Sequence, residues 1–527
     1  MMTTSAHNQS TARPPIVVVV GHIDHGKTTI LDWYRKSKVA EKESGGITQH
    51  IGAYEVEHNG KRLTFIDTPG HESFAKIRQR GAALADIGIL VVAADEGVKP
   101  QTKEAIRVLR EADIPFAVAL NKIDKPGANP ERVKQELAQE EVLVESYGGK
   151  VPAVETSGRT GQGLEELLET LLLLAELEEL ASAPEAGAEG IVIETELNPR
   201  RGATATVLIR NGTLKRGDAV ALGNAAETIR ILENFAGRPV DALGPSAPAR
   251  IAGLGKLPAV GDLLRAFPSR AEAKAFVKAL PPEKPINGKD KPAGESEQKE
   301  RVFNIILKSD VFGSQEAVAE ALAQLSSPAA AIRLLAAGIG DINESDIKLA
   351  SATRLVTIIG FRVKTDPAAR ELARTQNIRI VTGEVIYELL DEVKQAITDL
   401  IPPEVKRIDL GRVKILKVFK KADGKQVVGG RVETGKIAKG ARIEVVRMRG
   451  IIGTGSIAGL QRGKQAVEEV AQGLECGMMA DTRTAIEEDD ELVIYQEEVT
   501  KINFSYARTP PDREAPEPAP GRSDANR

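Results

Sequence analysis

The sequence is poor in cysteine, with Cys476 as the single example in 527 residues. One cysteine excludes disulfides within the chain and cysteine-rich zinc sites, and it fits a reducing compartment. No stretch approaches 18 uninterrupted apolar residues, and residues 1–12 lack the apolar core of a secretory signal. We therefore expect a soluble cytoplasmic protein that does not contact a membrane. A formal net charge of −4 excludes a uniformly basic coat for RNA.

Histidine is scarce and unevenly placed, because all six residues lie within the first 71 positions. His22, His25, His50 and His71 lie in or beside the loops described below, which are expected to hold a nucleotide. Their spacing is not that of a metal site. His58 lies in a Glu-His-Asn-Gly turn, which is typical of a surface histidine without a special role.

A phosphate-binding loop follows the apolar run at residues 16–20, which predicts a buried strand. In such a loop the backbone N–H groups cradle the phosphates, the Lys27 ammonium neutralises the β and γ oxygens, and the Thr28 hydroxyl coordinates Mg²⁺. A helix is expected from Thr29. The predicted nucleotide-binding residues here are Gly21, His22, Ile23, Asp24, His25, Gly26, Lys27, Thr28 and Thr29.

Three further loops follow in the order of a nucleotide-dependent switch, each after a strand-like run. Asp67 lies where a carboxylate can reach the Mg²⁺ shell, and the N–H of Gly70 can face the γ-phosphate. Asp124 can accept hydrogen bonds from the ring N–H and the exocyclic amine of guanine, which adenine does not offer together, so it indicates GTP. The predicted nucleotide-binding residues of these loops are Asp67, Thr68, Pro69, Gly70, His71, Asn121, Lys122, Ile123, Asp124, Ser157 and Gly158.

His71 is the predicted catalytic residue. It directly follows the Asp-Thr-Pro-Gly string, at the position where Ras-like enzymes place a glutamine that orients the attacking water. An imidazole can orient water in the same way. The sequence therefore predicts a GTPase that converts GTP to GDP and phosphate.

These strings resemble a translational GTPase, and residues 45–54 resemble bacterial translation initiation factor two in particular. The resemblance covers nearly the whole chain, in a form that lacks the long N-terminal extension common in that family. It implies that Thr48 joins Thr28 and Asp67 around Mg²⁺. It also implies that Ile23 and Ile47 form an apolar gate, and that His71 swings in when the large ribosomal subunit docks.

Composition and periodicity predict a multidomain chain of the α/β plus β class. Domain II is expected to contain about thirteen short β elements, and a glycine pattern at 212–220 recurs at 435–443, which predicts two related barrels. The predicted segments are a disordered N-terminus at 1–12, a P-loop GTPase domain at 13–183, β-barrel domain II at 188–270, a flexible linker at 281–300, α/β domain III at 301–383, a connecting helix at 384–402, a second, tRNA-binding β-barrel at 404–506 and a disordered tail at 507–527.

The last barrel has opposite charges in its two halves. Residues 404–464 hold 16 Lys and Arg against 5 Asp and Glu, whereas residues 465–500 hold 1 against 11. This separation predicts one basic face that suits a phosphate backbone. The resemblance implies that the module holds the acceptor end of initiator tRNA. The residues it places at the formyl-methionine pocket are Arg462, Glu475, Cys476 and Gly477, with Gln461 and Gly463 standing where the family usually has Lys and an aromatic residue.

The sequence as a whole predicts a monomeric, GTP-dependent translation initiation factor. It would deliver or stabilise initiator formyl-methionyl-tRNA on the small ribosomal subunit, promote joining of the two subunits, and hydrolyse GTP when the ribosome stimulates it. Two alternatives stay open. One is an elongation-type carrier of aminoacyl-tRNA, although such a carrier has two consecutive barrels after its GTPase domain. The other is a regulatory GTPase unconnected with the ribosome, which co-sedimentation with ribosomes would distinguish.

Overall fold

The structure is a computed structural model. It describes residues 11–36, 48, 50–280, 301–326, 330–400, 404–422, 425–448, 450–463, 465–500 and 505–506. The predicted linker at 281–300, the predicted tail at 507–527 and Ile47 lie outside the described residues. The chain divides into two compact units, one of Met1–Ala396 with Ser505–Arg527 and one of Ile397–Phe504. No helix in the described part of the chain is long and apolar enough to cross a membrane.

The first domain is a six-stranded sheet with helices on its faces. Its strand order is β3-β4-β2-β5-β6-β7, and every neighbouring pair except β3 and β4 is parallel. Its elements are β1 (Thr11–Ala12), β2 (Ile16–Gly21), α1 (Lys27–Arg35), β3 (Gly52–His58), β4 (Lys61–Asp67), α2 (Ala75–Leu84), β5 (Ile87–Ala93), α3 (Pro100–Glu111), β6 (Phe116–Asn121), α4 (Pro130–Gln139), β7 (Ala153–Glu155), α5 (Leu164–Leu177) and β8 (Ala181–Ser182). Strand β2 is buried along its whole length because helices cover both faces of a parallel sheet.

Two predicted boundaries of this domain are wrong. The predicted disordered start reached residue 12, but Thr11–Ala12 forms a strand that pairs antiparallel with Ala181–Ser182, which satisfies its backbone groups. Helix α1 begins at Lys27 and not at Thr29, since Gly26 takes the left-handed conformation before it and the helix starts directly after that turn.

The second domain is an antiparallel β structure around one apolar core. Seven of its strands form a sheet in the order β13-β12-β17-β9-β10-β16-β14, and β11 pairs with β15. Its elements are β9 (Glu189–Asn198), β10 (Gly202–Asn211), β11 (Leu214–Lys215), β12 (Ala219–Leu222), β13 (Ala225–Thr228), β14 (Ile231–Glu233), β15 (Ala242–Leu243), β16 (Pro248–Leu254), β17 (Leu263–Phe267) and α6 (Arg270–Ala279). The domain has nine strands and not about thirteen elements, because β9 and β10 each run unbroken for 10 residues.

The third domain is a four-stranded parallel sheet, in the order β20-β18-β21-β22, with helices packed against it. Its elements are β18 (Arg301–Ser309), α7 (Phe312–Gln324), β19 (Leu325–Ser326), β20 (Ala330–Ile339), α8 (Glu344–Ser351), β21 (Val356–Phe361), α9 (Pro367–Thr375), β22 (Arg379–Gly383) and α10 (Ile386–Leu400). Helix α8 begins with a capping box in which Asn343 and Asp346 satisfy each other's backbone N–H groups. Helix α10 is the predicted connecting helix, and the boundary between the two units falls inside it.

The C-terminal unit is a closed barrel of six strands, because β23-β30-β25-β26-β29-β24 form a sheet whose end strands, β24 and β23, also pair. Its strands are β23 (Glu404–Ala422), β24 (Lys425–Ala438), β25 (Arg442–Arg447), β26 (Gly450–Arg462), β27 (Gln465–Ala466), β28 (Glu469–Ala471), β29 (Glu475–Thr482) and β30 (Glu491–Thr500), followed by β31 (Ser505–Tyr506). Strand β31 pairs with Leu325–Ser326 in the third domain, so the barrel unit ends at Phe504 and not at residue 506.

The repeated glycine pattern has the same backbone conformation in both barrels. Gly212 and Gly435 have φ angles of +71° and +69°, and Gly217 and Gly440 have φ angles of +97° and +83°. A residue with a Cβ atom is strained at such angles, so the pattern reflects a shared turn. The predicted fold class, α/β layers combined with β-barrels, is confirmed.

Candidate nucleotide site

The four predicted loops meet at one edge of the first sheet. Strands β2, β4, β6 and β7 run parallel, so their carboxyl ends lie on the same side. The phosphate loop follows β2, Asp67 ends β4, Asn121 ends β6 and Ser157 comes two residues after β7. Contacts between these loops, described next, define the candidate site.

The phosphate loop is held close to the Asn121 side chain. Gly26 has a φ of +90°, and a Cβ atom there would lie 2.3 Å from Asn121 Nδ2, so only glycine fits. The Lys27 side chain is 6% exposed, and its Nζ donates to the carbonyl oxygens of Gly21 at 2.9 Å and His22 at 2.7 Å. Burial lowers the pKa of Lys27 to about 8. A phosphate bound in the loop would supply the negative charge that this buried ammonium requires.

The residues predicted to surround Mg²⁺ are brought together. Thr28 Oγ1 and Thr48 Oγ1 lie 2.8 Å apart, and Thr48 Oγ1 donates to Asp67 Oδ2 at 3.5 Å. Asp67 is 2% exposed, burial raises its pKa to about 6, and its Oδ1 has no hydrogen-bond partner among the described residues. A buried carboxylate with one unsatisfied oxygen, whose other oxygen accepts from one of two adjacent hydroxyls, is a donor set that suits a hard divalent cation.

The predicted base-binding side of the site is ordered by Asn121 and Ser157. Asn121 Nδ2 donates to the His25 carbonyl at 2.8 Å, and Asn121 Oδ1 accepts from the Gly158 N–H at 3.0 Å, so this side chain joins the first and last loops. The Ser157 hydroxyl donates to Asp124 Oδ1 at 2.6 Å. The contact fixes the direction in which the Asp124 carboxylate points.

Two residues predicted to bind the nucleotide have side chains directed into the protein. His25 is fully buried, its Nδ1 accepts from the Ala93 N–H at 3.2 Å, and burial lowers its pKa to about 4. The Thr68 hydroxyl donates to the Val19 carbonyl at 2.8 Å. Only the backbone of these two residues is therefore placed to face a nucleotide.

His71 lies just after the loop that ends β4. Its Nδ1 accepts from the Ser73 N–H at 3.2 Å. Ile23, the described half of the predicted gate, lies against the same loop, since a Cβ built on Gly70 would be 3.3 Å from Ile23 Cγ1.

A buried arginine that the sequence analysis did not identify fixes this loop. Arg78 in α2 is 2% exposed, and its Nη1 donates to the carbonyl oxygens of Pro69 at 3.0 Å and His71 at 2.5 Å. Its Nη2 donates to Glu104 at 2.5 Å. Its spacing in the sequence could have indicated that Arg78 is buried. Arg78 follows the buried Phe74 by four residues and so lies on the inward face of the helix.

The segment after Thr48 contacts the third domain. His50 Nε2 lies 2.8 Å from Asp310 Oδ2, and the same oxygen accepts from Arg362 Nε at 3.2 Å. The Asp310 hydrogen bond raises the pKa of His50 against the opposing effect of burial. No local sequence pattern predicts this contact, since the two partners are 260 residues apart.

The four residues predicted to bind tRNA lie in the C-terminal barrel and do not share one face. Glu475 and Arg462 are exposed and Gly477 is half-buried, whereas Cys476 is 6% exposed and belongs to the barrel core. Burial raises the pKa of the Cys476 thiol to about 11. Alternate residues of a strand point to opposite faces, so the Cys476 side chain points into the barrel whereas Glu475 and Gly477 face outward; the place of Cys476 in a formyl-methionine pocket stays a prediction.

The basic and acidic segments of this barrel lie side by side in the fold. Antiparallel pairing places the basic β23 beside the acidic β30, so the charges that are separated in the sequence meet in the fold. In the described part of the barrel, the basic residues that form ion pairs with its acidic residues include Arg407, Arg412, Lys414, Arg431, Lys436, Lys439, Arg442 and Arg447.

Comparisons with known families agree with this arrangement of domains. The family described as "Elongation factor Tu GTP binding domain" matches residues 13–176, "Elongation factor G domain 2" matches 187–267, and "Translation-initiation factor 2" matches 286–394. Among solved structures, GDP-bound aIF5B from Aeropyrum pernix is 30% identical over 92% of each chain, with a TM-score of 0.47.

Curated relatives share more of the sequence. The chain is 43% identical over 500 residues to translation initiation factor IF-2 of Desulforamulus reducens, covering 93% of this chain and 50% of that protein. It is 44% identical over 487 residues to IF-2 of Carboxydothermus hydrogenoformans, covering 91% and 59%. The chain spans about half the length of the curated relatives it matches. With identity above 40% along nine-tenths of its length, the chain belongs to the translation initiation factor IF-2 family.

Proposed function

We propose that this chain is a GTP-dependent translation initiation factor. It binds initiator formyl-methionyl-tRNA, acts on both ribosomal subunits to promote their joining, and hydrolyses GTP when the ribosome stimulates it. The observation that carries the proposal is the convergence of Lys27, Asp67, Asn121 and Asp124 at one sheet edge, with His71 beside them, in a chain of the IF-2 family.

GTP is the proposed substrate because Asp124 is directed by Ser157 and can accept from the two donors of guanine. The buried Lys27 ammonium would balance the charge of the phosphates. Thr28, Thr48 and Asp67 would hold Mg²⁺, since one Asp67 oxygen is unsatisfied and the other accepts from Thr48, whose hydroxyl lies next to that of Thr28. When bound, Mg²⁺ neutralises charge that develops on the phosphate oxygens.

His71 would orient the water that attacks the γ-phosphate. Arg78 holds the backbone carbonyl of His71 and so sets the position from which the imidazole would move. Ile23 lies against Gly70, the residue before His71. To accept a hydrogen bond from water, the imidazole needs an available nitrogen lone pair. The Nδ1 lone pair accepts from Ser73 here, so catalysis requires the imidazole to leave this contact.

Three alanine variants test the assignment. Lys27→Ala should abolish GTP binding, because it removes the charge that the phosphates meet. His71→Ala should keep GTP affinity within a few-fold and lose ribosome-stimulated turnover by about 10³-fold or more. His58→Ala, which changes the last residue of β3, is the matched control and should change neither quantity. Fluorescent-nucleotide binding and phosphate release with and without ribosomes measure the two effects.

An equal loss of GTP affinity in His71→Ala and Lys27→Ala would contradict the catalytic role of His71. Failure of the wild type to co-sediment with ribosomes in the presence of a non-hydrolysable GTP analogue would contradict the proposed function and favour a regulatory GTPase. The tRNA-binding role is tested separately with the C-terminal unit, as described in the Discussion.

A further inference from the structure

Tyr387, near the start of helix α10, lies beside His71. The two ring centroids are 6.3 Å apart with the ring planes 24° from parallel. The Phe74 ring lies 6.4 Å from the same imidazole at an interplanar angle of 85°. Both distances are within the range of aromatic pairs, so the imidazole has one aromatic neighbour from its own domain and one from α10.

Tyr387 does not occupy this position as part of the core. Its neighbours Ile386, Leu389 and Leu390 are at most 2% exposed, whereas Tyr387 is 43% exposed. The chain has 18 aromatic residues among 527, so a partly exposed tyrosine against the candidate catalytic histidine is not explained by composition. At this position the partly exposed ring stacks against the imidazole of His71.

The stacked imidazole is in an arrangement that cannot act on water. Nδ1 accepts from the Ser73 N–H, so the neutral ring carries its proton on Nε2. Neither nitrogen then offers a lone pair to an attacking water. The ring must leave the contacts with Ser73 and Tyr387 before it can accept a hydrogen bond from water.

We propose that Tyr387 is a positioning residue that holds His71 in an idle arrangement, so that α10 restrains hydrolysis. The inference rests on the proposed function, because it assigns His71 the catalytic role. Helix α10 continues along the chain into the C-terminal unit, since the boundary between the units falls between Ala396 and Ile397. A displacement of this helix would withdraw Tyr387 and release the imidazole.

The first test is the rate of GTP hydrolysis by the full chain without ribosomes. Loss of one aromatic pair should destabilise the idle arrangement enough for Tyr387→Ala to raise kcat about 2- to 10-fold, with KM for GTP unchanged. Tyr387→Phe keeps the ring and should restore the wild-type rate. Tyr147→Ala is the matched control, because Tyr147 is a 39% exposed tyrosine of the first domain and lies outside the site.

The second test does not depend on catalysis. Histidine-selective ¹³C labelling gives six imidazole signals, all from the first 71 residues, and His71→Gln identifies the one from His71. Because a neighbouring aromatic ring shifts that signal, Tyr387→Ala should move it and leave the other five in place, while Tyr387→Phe should not. A His71 signal that does not move would overturn the inference.

The kinetic outcomes separate the inference from the proposed function. If the wild type is active but Tyr387→Ala leaves the ribosome-free kcat unchanged or lowers it, this inference is overturned and the proposed function is not. A wild type that hydrolyses no GTP even with ribosomes overturns the proposed function and, with it, this inference. A raised kcat in Tyr387→Ala, restored by phenylalanine and accompanied by the shifted His71 signal, supports both.

Discussion

Replacing Arg78 by methionine should destabilise the first domain strongly. The side chain is 2% exposed and makes three hydrogen bonds, two to backbone carbonyls of the loop that carries His71 and one to Glu104. Arg78→Met fills a similar volume but leaves those two carbonyls and the Glu104 carboxylate unpaired. The loss therefore tests whether this buried ion pair holds the loop that carries His71.

The expected magnitude follows from what remains unpaired. Removing one partner of a buried ion pair costs about 3–5 kcal/mol, because the other charge stays desolvated. Glu104 retains 18% of its side-chain exposure, so we expect the lower end, about 3 kcal/mol. Changing both partners to apolar residues in Arg78→Met/Glu104→Met removes the stranded charge and should recover the part of the loss that this charge causes, while the two backbone carbonyls stay unpaired.

Urea unfolding monitored by tryptophan fluorescence measures the effect. The only tryptophan, Trp33, is in α1 of the same domain, so its signal reports on this domain. Arg107→Met is the control, because Arg107 is 67% exposed and such surface pairs contribute about 1 kcal/mol at most. An Arg78→Met midpoint no lower than that of Arg107→Met, or a double variant less stable than Arg78→Met, would refute the reasoning.

The remaining predictions concern the base, the thiol and the last barrel. Asp124→Asn should weaken GTP binding by about 10²-fold or more, because two charge-assisted hydrogen bonds to guanine are lost. In competition assays the variant should favour xanthosine triphosphate. Equal binding of ATP and GTP by the wild type would contradict the assignment of Asp124. Because burial raises the pKa of the Cys476 thiol to about 11, a disulfide reagent at pH 8 should react far more slowly with native than with denatured protein, and rapid native labelling would contradict the buried position. The isolated unit Ile397–Phe504 should fold, bind initiator tRNA with an affinity that falls as salt rises, and prefer the formylated form modestly, as filter binding would show; retention of tRNA by residues 1–396 and not by this unit would contradict the division of roles.

The sequence alone was sufficient to predict the family and the fold class, and it predicted loops that the fold brings together. A phosphate loop depends on contiguous residues such as Gly26, Lys27 and Thr28, so its spacing can be read directly. The loops converge because each follows a strand of one parallel sheet, and apolar runs predicted those strands. The order of α/β layers and barrels followed from the same periodicities.

The tertiary structure decided which distant residues meet and which way each side chain points. In the sequence, Arg78 cannot be told from a charged residue on the exposed face of a helix. Only the packing of that helix shows that its guanidinium reaches the His71 carbonyl. The basic and acidic halves of the last barrel are separate in the chain, but antiparallel pairing brings them together and cancels much of their field. Cys476 and Gly477 are adjacent in sequence, yet the pleat puts one side chain inside the barrel and the other position on its surface. Short-range spacing fixes local backbone geometry, whereas contacts such as that between Tyr387 and His71 depend on how whole elements pack, which no local pattern encodes.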